Sequence, residues 1–285
     1  MGREYHCLIA GLPEVFFEIQ KLVYPVTYFR EYLKEELTDE DYKLIESYFW
    51  RFDNENLLNF FLKNNKPYIT AANLTREELE ELVKSIKEDS INSFSREVPE
   101  YLIKIIEEYL SGNLNTEEEN KVEKRITEEY YNFVCGISNK FISNWYNFEL
   151  NLNNLLSALN CRKYNIDRHN HIIGNNEIAQ KLITSNARDF GINEFPFYDE
   201  ILKNFEESNL LEREKNIDKI KWNYLDNEVF FFYFTVERIF SYLIKLTIIE
   251  RWLNLDYNTG KQLFQKLINE LEKSYSFPED FKLKH

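Results

Sequence analysis

His169 and His171, with Asp167 two residues before the first, are the closest grouping of metal-capable side chains in the chain. Ligands at i and i+2 share a side only on extended backbone, because a helix brings together i, i+3 and i+4. The stretch Asn165 to Asn176 is polar and reads as a loop, and the only other histidines are His6 and His285. An exposed polar loop is therefore favoured over a metal site. Three cysteines, Cys7, Cys135 and Cys161, share no short spacing, which argues against a disulfide framework or a zinc site. Each is flanked by apolar residues and is expected to be a buried thiol. Acid pairs such as Glu128-Glu129 and Glu206-Glu207 are frequent, but none lies in an apolar setting that would raise a pKa for acid catalysis. No phosphate-cradling glycine motif, HExxH or GxSxG occurs, and 7 glycines leave little material for one. The expectation is of no catalytic residue, no metal and no cofactor.

The elements that position these residues are expected to be helices. Seven Gly and 6 Pro in 285 residues allow few tight turns, and apolar residues recur at three- and four-residue steps over Glu31 to Leu37 and Tyr42 to Trp50. Thr38-Asp-Glu-Asp41, Thr75-Arg-Glu-Glu78 and Thr116-Glu-Glu-Glu119 all read as helix starts, a threonine followed three residues on by an acid. The charged run Thr116 to Tyr131 reads as a solvated helix face. Cys7 to Pro13, closed by Gly11 and Pro13, is the best strand candidate. Breaks are expected at Asn165 to Asn176 and Gly191 to Pro196, followed by three helices over Tyr198 to Glu214, Ile217 to Asn254 and Asn258 to Tyr275. The middle one carries Phe230-Phe-Phe-Tyr-Phe234 near its start. Five successive aromatics cannot share one helical stripe, so this helix is expected to be contacted on several sides, as a central core element. No low-complexity linker divides the chain, and residues 1–285 read as one all-α domain.

Charge and hydropathy exclude several functions. A net charge of −14 opposes nucleic-acid binding and attraction to a bare anionic membrane, and leaves a basic protein surface as the favoured partner. The 16% aromatic content recurs at helical spacing, which points to core packing over base stacking. The greasiest stretch, Val229 to Trp252, contains Glu237, Arg238, Lys245, Glu250 and Arg251, so no direct membrane insertion is expected. The opening residues do not read as a signal peptide, and the chain is expected to be cytoplasmic.

One pattern recurs. Phe52-Asp-Asn-Glu-Asn-Leu-Leu-Asn-Phe-Phe-Leu-Lys63 matches Leu150-Asn-Leu-Asn-Asn-Leu-Leu-Ser-Ala-Leu-Asn160 in outline, which sets Asp53 over Asn151 and Asn56 over Asn154. A weaker third copy is Thr235 to Leu243, with Thr235 and Arg238 in the polar positions. The intervals are 98 residues from Asn56 to Asn154 and 84 from Asn154 to Arg238. Three such units, near 52–63, 150–160 and 235–243, suggest a three-lobed helical array. Asp53, Asn56, Asn151 and Asn154 are expected to be structural, capping backbone N–H groups or tying helices together. Arg162 and Lys163, the basic pair after the second copy, are candidates for partner contact or for solvated surface.

The pattern Asp/Asn-x-x-Asn-Leu, apolar residues and a basic pair resembles the repeated helix motif of the central-stalk C-type subunit of V/A-type ATPases, the counterpart of the d-type subunit in eukaryotic enzymes. The fullest copy is Trp145 to Tyr164. The opening Tyr5-His-Cys-Leu-Ile-Ala-Gly-Leu-Pro13 is similar to that of an uncharacterised bacterial family encoded among V-type ATPase subunits. The resemblance implies a three-lobed helical funnel, with at most a short N-terminal strand, that has no active site. Such a funnel would sit peripheral to the inner membrane between the ATPase shaft subunits and the proteolipid ring, coupling them during ion transport. The third copy departs from the pattern in lacking the Asp/Asn and Asn pair. Two readings compete: a helical adaptor of another assembly, and a metal-dependent enzyme using Asp167, His169 and His171.

Overall fold

Short polar side chains decide where five of the α-helices begin. The computed structural model describes residues 3–18 and 21–255, and among them all regular structure is helical. Helix α1 spans His6–Ala10, α2 Val26–Glu36 and α3 Asp39–Phe61. The Thr38 hydroxyl caps α3 by accepting from Asp41 N–H, and Asp39, Glu40 and Asp41 face the positive end of the helix dipole. Helix α4, Arg76–Lys87, opens on a reciprocal box in which the Thr75 hydroxyl takes Glu78 N–H and the Glu78 carboxylate takes Thr75 N–H. Helices α5, Glu100–Leu110, and α6, Glu119–Cys135, precede the longest helix, α7, Lys140–Tyr164. Asn139 caps α7, and Asn165 ends it in the left-handed region. Asn176 and Asn209 cap α8, Glu177–Thr184, and α10, Leu210–Glu228. Between these lies α9, Tyr198–Phe205, and the last described helix is α11, Val236–Asn254.

Helix α6 packs against both α3 and α7, while α11 reaches α2, α3, α7 and α10. The interior where they meet is aromatic: Trp145, Tyr146, Phe29, Phe49 and Phe240 are fully buried. Phe148 and Tyr224 stack with ring centres 3.8 Å apart, and Tyr146 meets Tyr130 and Phe240 edge-on. Such ring pairs add directional packing to the burial itself.

Several expectations are corrected. Cys7 to Pro13 is no strand: Ile9 N–H donates to Tyr5 O and Gly11 N–H to Cys7 O, the four-residue step of a helix. A run this short does not distinguish the two periods. Thr116 starts no helix, because the Asn115 side chain captures Glu117 N–H in a local turn and α6 begins three residues later, at Glu119. Helix α6 is not merely solvated, since Val122, Ile126, Tyr130, Tyr131 and Val134 bury one face. The span Tyr198 to Glu214 breaks after Phe205, where Asn209 takes the N–H groups of Leu211 and Glu212 and starts a new helix.

The expected central helix over Ile217 to Asn254 is two helices, α10 and α11, and the five aromatics form the turn between them. Lys245 pairs with Asp226, and Arg251 and Trp252 with Asp218, so α10 and α11 run antiparallel as a hairpin with that turn at its tip. Five bulky rings in succession leave some facing solvent in any helix, and a turn relieves the core of them. The helix expected over Asn258 to Tyr275 lies outside the described residues.

Candidate functional site

The repeated polar residues sit in the middle of α3 and α7 and do the same work in each. Asn56 donates its amide to Ile69 O (3.0 Å) and accepts Ile69 N–H (2.9 Å). Asn154 does the same to Ile173, at 2.8 and 2.9 Å. In both places one amide side chain satisfies both polar groups of a returning backbone residue, which would otherwise be left unpaired against the core. Asp53 accepts the N–H groups of Asn73 (2.7 Å) and Leu74 (2.8 Å), just before the Thr75 cap of α4. Asn151 accepts from the side chain of Asn176, the residue that caps α8. Each pair therefore clamps the strap that leads into the next helix, across loops of different length. All four residues are buried.

Burial pushes the Asp53 carboxyl up to about 7, against the two backbone N–H groups and the charges of Arg30 and Arg96. Arg96 donates to Asn73 O (2.6 Å) and Arg30 to the Asn73 side chain (2.6 Å), so the first clamp is braced by two guanidinium groups.

A charge pair that sequence reasoning missed joins the two units. Arg51 and Glu149, two residues before Asp53 and Asn151, meet across the interior at 3.0 Å. Tyr131 hydroxyl lies 3.4 Å from the same carboxylate, and the guanidinium lies 4.1 Å from the centre of the Tyr48 ring. Burial opposes charge on Glu149, but Arg51 outweighs it and holds the carboxyl below its ordinary value. Burial pushes the surrounding phenols of Tyr130, Tyr131 and Tyr146 up. The signal that could have found the pair was its 98-residue spacing, the repeat interval itself.

Arg51 also lines two open clefts, of about 490 and 450 Å³. The larger holds Lys66, Glu119, Glu123 and Tyr130, and the other holds Glu31, Thr247, Glu250 and Arg251. A paired, charged Glu149 has no proton to donate, and both Asp53 oxygens are taken up by backbone. What this arrangement can do chemically is lock helices to one another.

The other sequence candidates lie apart. Arg162 is bound within the chain, donating to Arg188 O (2.6 Å) and Ala187 O (2.7 Å) with its guanidinium 3.6 Å from the Phe190 ring centre. Lys163 is exposed, near Tyr164 and Phe205. The third copy does not reproduce the clamp. Thr235 stands at the N-cap of α11 and donates to Glu237, and Arg238 is exposed. Asp167 caps a single 3-10 turn, Arg168–Asn170, and meets His169 at 3.0 Å on the surface. Among the described residues no three His, Cys, Asp or Glu side chains come together to hold a metal ion. The thiols also differ from expectation: Cys161 is buried, Cys135 half-buried and Cys7 exposed, because Cys7 lies on the outer face of α1 while Leu8 faces inward.

A family described as a protein of unknown function, DUF2764, covers residues 1–275. No curated protein and no solved structure matches the chain.

Proposed function

We propose that this chain, which belongs to the DUF2764 family, is a non-catalytic coupling subunit in the central stalk of a V/A-type ATPase, joining the shaft to the proteolipid ring. The observation that carries the reading is the doubled clamp: two long helices whose polar pairs, 98 residues apart, hold their following straps by the same hydrogen bonds. That repetition supports the resemblance to the repeated helix of the C-type stalk subunit. A subunit that transmits torque needs stiffness, and close-packed aromatic interiors deform little. Among the described residues no helix is long and apolar enough to cross a membrane, so attachment would run through protein partners. The acidic surface suits the basic loops that membrane proteins turn to the cytoplasm.

The test is affinity capture with tagged protein on detergent-solubilised native membranes, read by mass spectrometry. Shaft, catalytic and proteolipid subunits in stable ratio are expected. Capture of a different complex with every ATPase subunit absent would overturn the coupling function and favour a helical adaptor.

A further inference from the structure

Lys63, Lys66 and Arg76 border one open cleft of about 300 Å³, set between the end of α3, the strap that follows it and the first turns of α4. Among the described residues Glu80 is the only acid on its wall. None of these four side chains is in an ion pair among the described residues. Of the other acids in the first turn of α4, Glu78 takes up Thr75 N–H and Glu77 does not border the cleft. Lys66 also borders the larger neighbouring cleft, where Glu55, Glu119 and Glu123 stand. Even with Lys66 assigned to that side, Lys63 and Arg76 outweigh Glu80, in a chain whose net charge is −14.

The wall between these charges carries a donor that the fold leaves unused. Asn59 is only 8% exposed, and its side-chain oxygen accepts from the Asn64 amide (3.4 Å). Among the described residues its Nδ2 has no partner, yet it is not sealed in the interior, and Asn59 borders both this cleft and the larger one. An acceptor entering there would complete the amide. Phe60, Pro67 and Leu79 add apolar surface. Tyr68 is fixed by donating its hydroxyl to Leu74 O (2.8 Å), and the Arg76 guanidinium lies 5.5 Å from its ring centre.

The helix clamp does not require this cluster. In the second unit, 98 residues on, Ser157, Cys161 and Tyr164 occupy the positions of Asn59, Lys63 and Lys66, and Asn154 still binds Ile173. Lys63 moreover holds φ at 53°, in the left-handed region that glycine occupies at least cost. Neither the repeat nor the backbone therefore accounts for a lysine at this place.

We propose that the cleft binds a small organic phosphate, its oxygens taken by Arg76, Lys63, Lys66 and the Asn59 amide and its apolar body set against Phe60, Pro67 and Leu79. Three cations against one acid match the charge of a phosphate monoester, about −1.5 to −2 at neutral pH. A planar guanidinium fork fits two phosphate oxygens at once, and the volume suits a compact ligand. The site goes beyond the coupling function proposed above and does not depend on it.

The test is isothermal titration calorimetry of the full-length chain with phenyl phosphate at low salt. Saturable binding of one ligand per chain is expected, weakening as salt is raised, with benzoate at least roughly tenfold weaker. Arg76→Gln and Lys66→Gln should each weaken binding at least roughly tenfold, and Glu80→Gln should tighten it. Lys63→Gly should weaken binding without lowering the melting temperature, because glycine accepts the backbone conformation found there. No saturable binding in the millimolar range would overturn the assignment. So would binding that the Arg76→Gln/Lys66→Gln double variant leaves unchanged, or benzoate binding as tight as phenyl phosphate. Co-sedimentation with phosphatidate vesicles but no binding of phenyl phosphate would replace the small ligand with a lipid headgroup.

Discussion

Arg51 on α3 and Glu149 on α7 stand 98 residues apart in sequence and 3.0 Å apart in the interior, each two residues before the first polar position of its repeat. The pair therefore joins the two repeated helices at equivalent points. Arg51→Met strands the buried Glu149 carboxylate and is expected to cost roughly 3–5 kcal/mol in urea denaturation, whereas Glu149→Leu leaves a guanidinium that still reaches solvent and should cost less. The double substitution should recover most of that loss, because two apolar groups pack without desolvation cost. A double variant no more stable than either single one would show that the pair does more than fill space.

The two asparagine clamps should be energetically alike. Asn56→Ala and Asn154→Ala each leave the N–H and C=O of one half-buried isoleucine without their side-chain partner, and each is expected to cost about 1–3 kcal/mol. The sites share no partner, so the double variant should lose close to the sum. Equilibrium unfolding of the three variants measures both points, and a large loss at one site with none at the other would break the equivalence.

Asp53 makes stability depend on pH in the direction opposite to a salt-bridged acid. Burial raises its folded pKa to about 7, above its unfolded value, so the folded state binds a proton that the unfolded state releases earlier. Its contribution is complete below about pH 4 and is lost as pH rises through about 7. The stability gap between wild type and Asp53→Asn should therefore narrow between pH 5 and 8. A gap constant across that range would mean that Asp53 does not titrate there.

Thiol reactivity should separate the three cysteines. Cys7 is exposed, while burial pushes Cys135 up to about 12 and raises Cys161 as well. Thiolate is the reactive species, so an aromatic disulfide reagent should modify one thiol quickly in the native protein and the other two only on unfolding. Cys7→Ser should abolish the fast phase.

Removing the reciprocal cap of α4 tests how far local chemistry supports the fold. Thr75→Ala deletes one half of the box and is expected to cost about 1 kcal/mol. A Thr116→Ala variant, inside the Asn115 turn but not one of its hydrogen-bonding residues, should be close to neutral by the same thermal melt.

Much of this was legible in the chain. The helical class followed from few glycines and prolines and from three- and four-residue periodicity, because these are local properties of backbone and pattern. Thr38 and Thr75 marked real helix starts for the same reason. The repeat of Asp53 and Asn56 in Asn151 and Asn154 was visible as spacing, although that each asparagine grips a single isoleucine could only be seen once the straps 69–74 and 173–176 were in place.

Other features were outside the reach of sequence alone because they depend on which segments meet. Arg51 and Glu149 look like surface charges until two distant helices enclose them. Arg162 looks like a free cation until the loop at Ala187 and Arg188 folds over it. Phe230, Phe231, Tyr233 and Phe234 read as core by hydropathy, yet the hairpin of α10 and α11 turns them outward while Phe232 packs on Phe141. Sequence by itself determined the helical class, the capped starts at Thr38 and Thr75 and the repeated motif, since these follow from interactions within a few residues. Tertiary structure decided which charges are buried, which polar groups are paired and which aromatics face solvent, because burial is a property of assembled surfaces that no single segment carries.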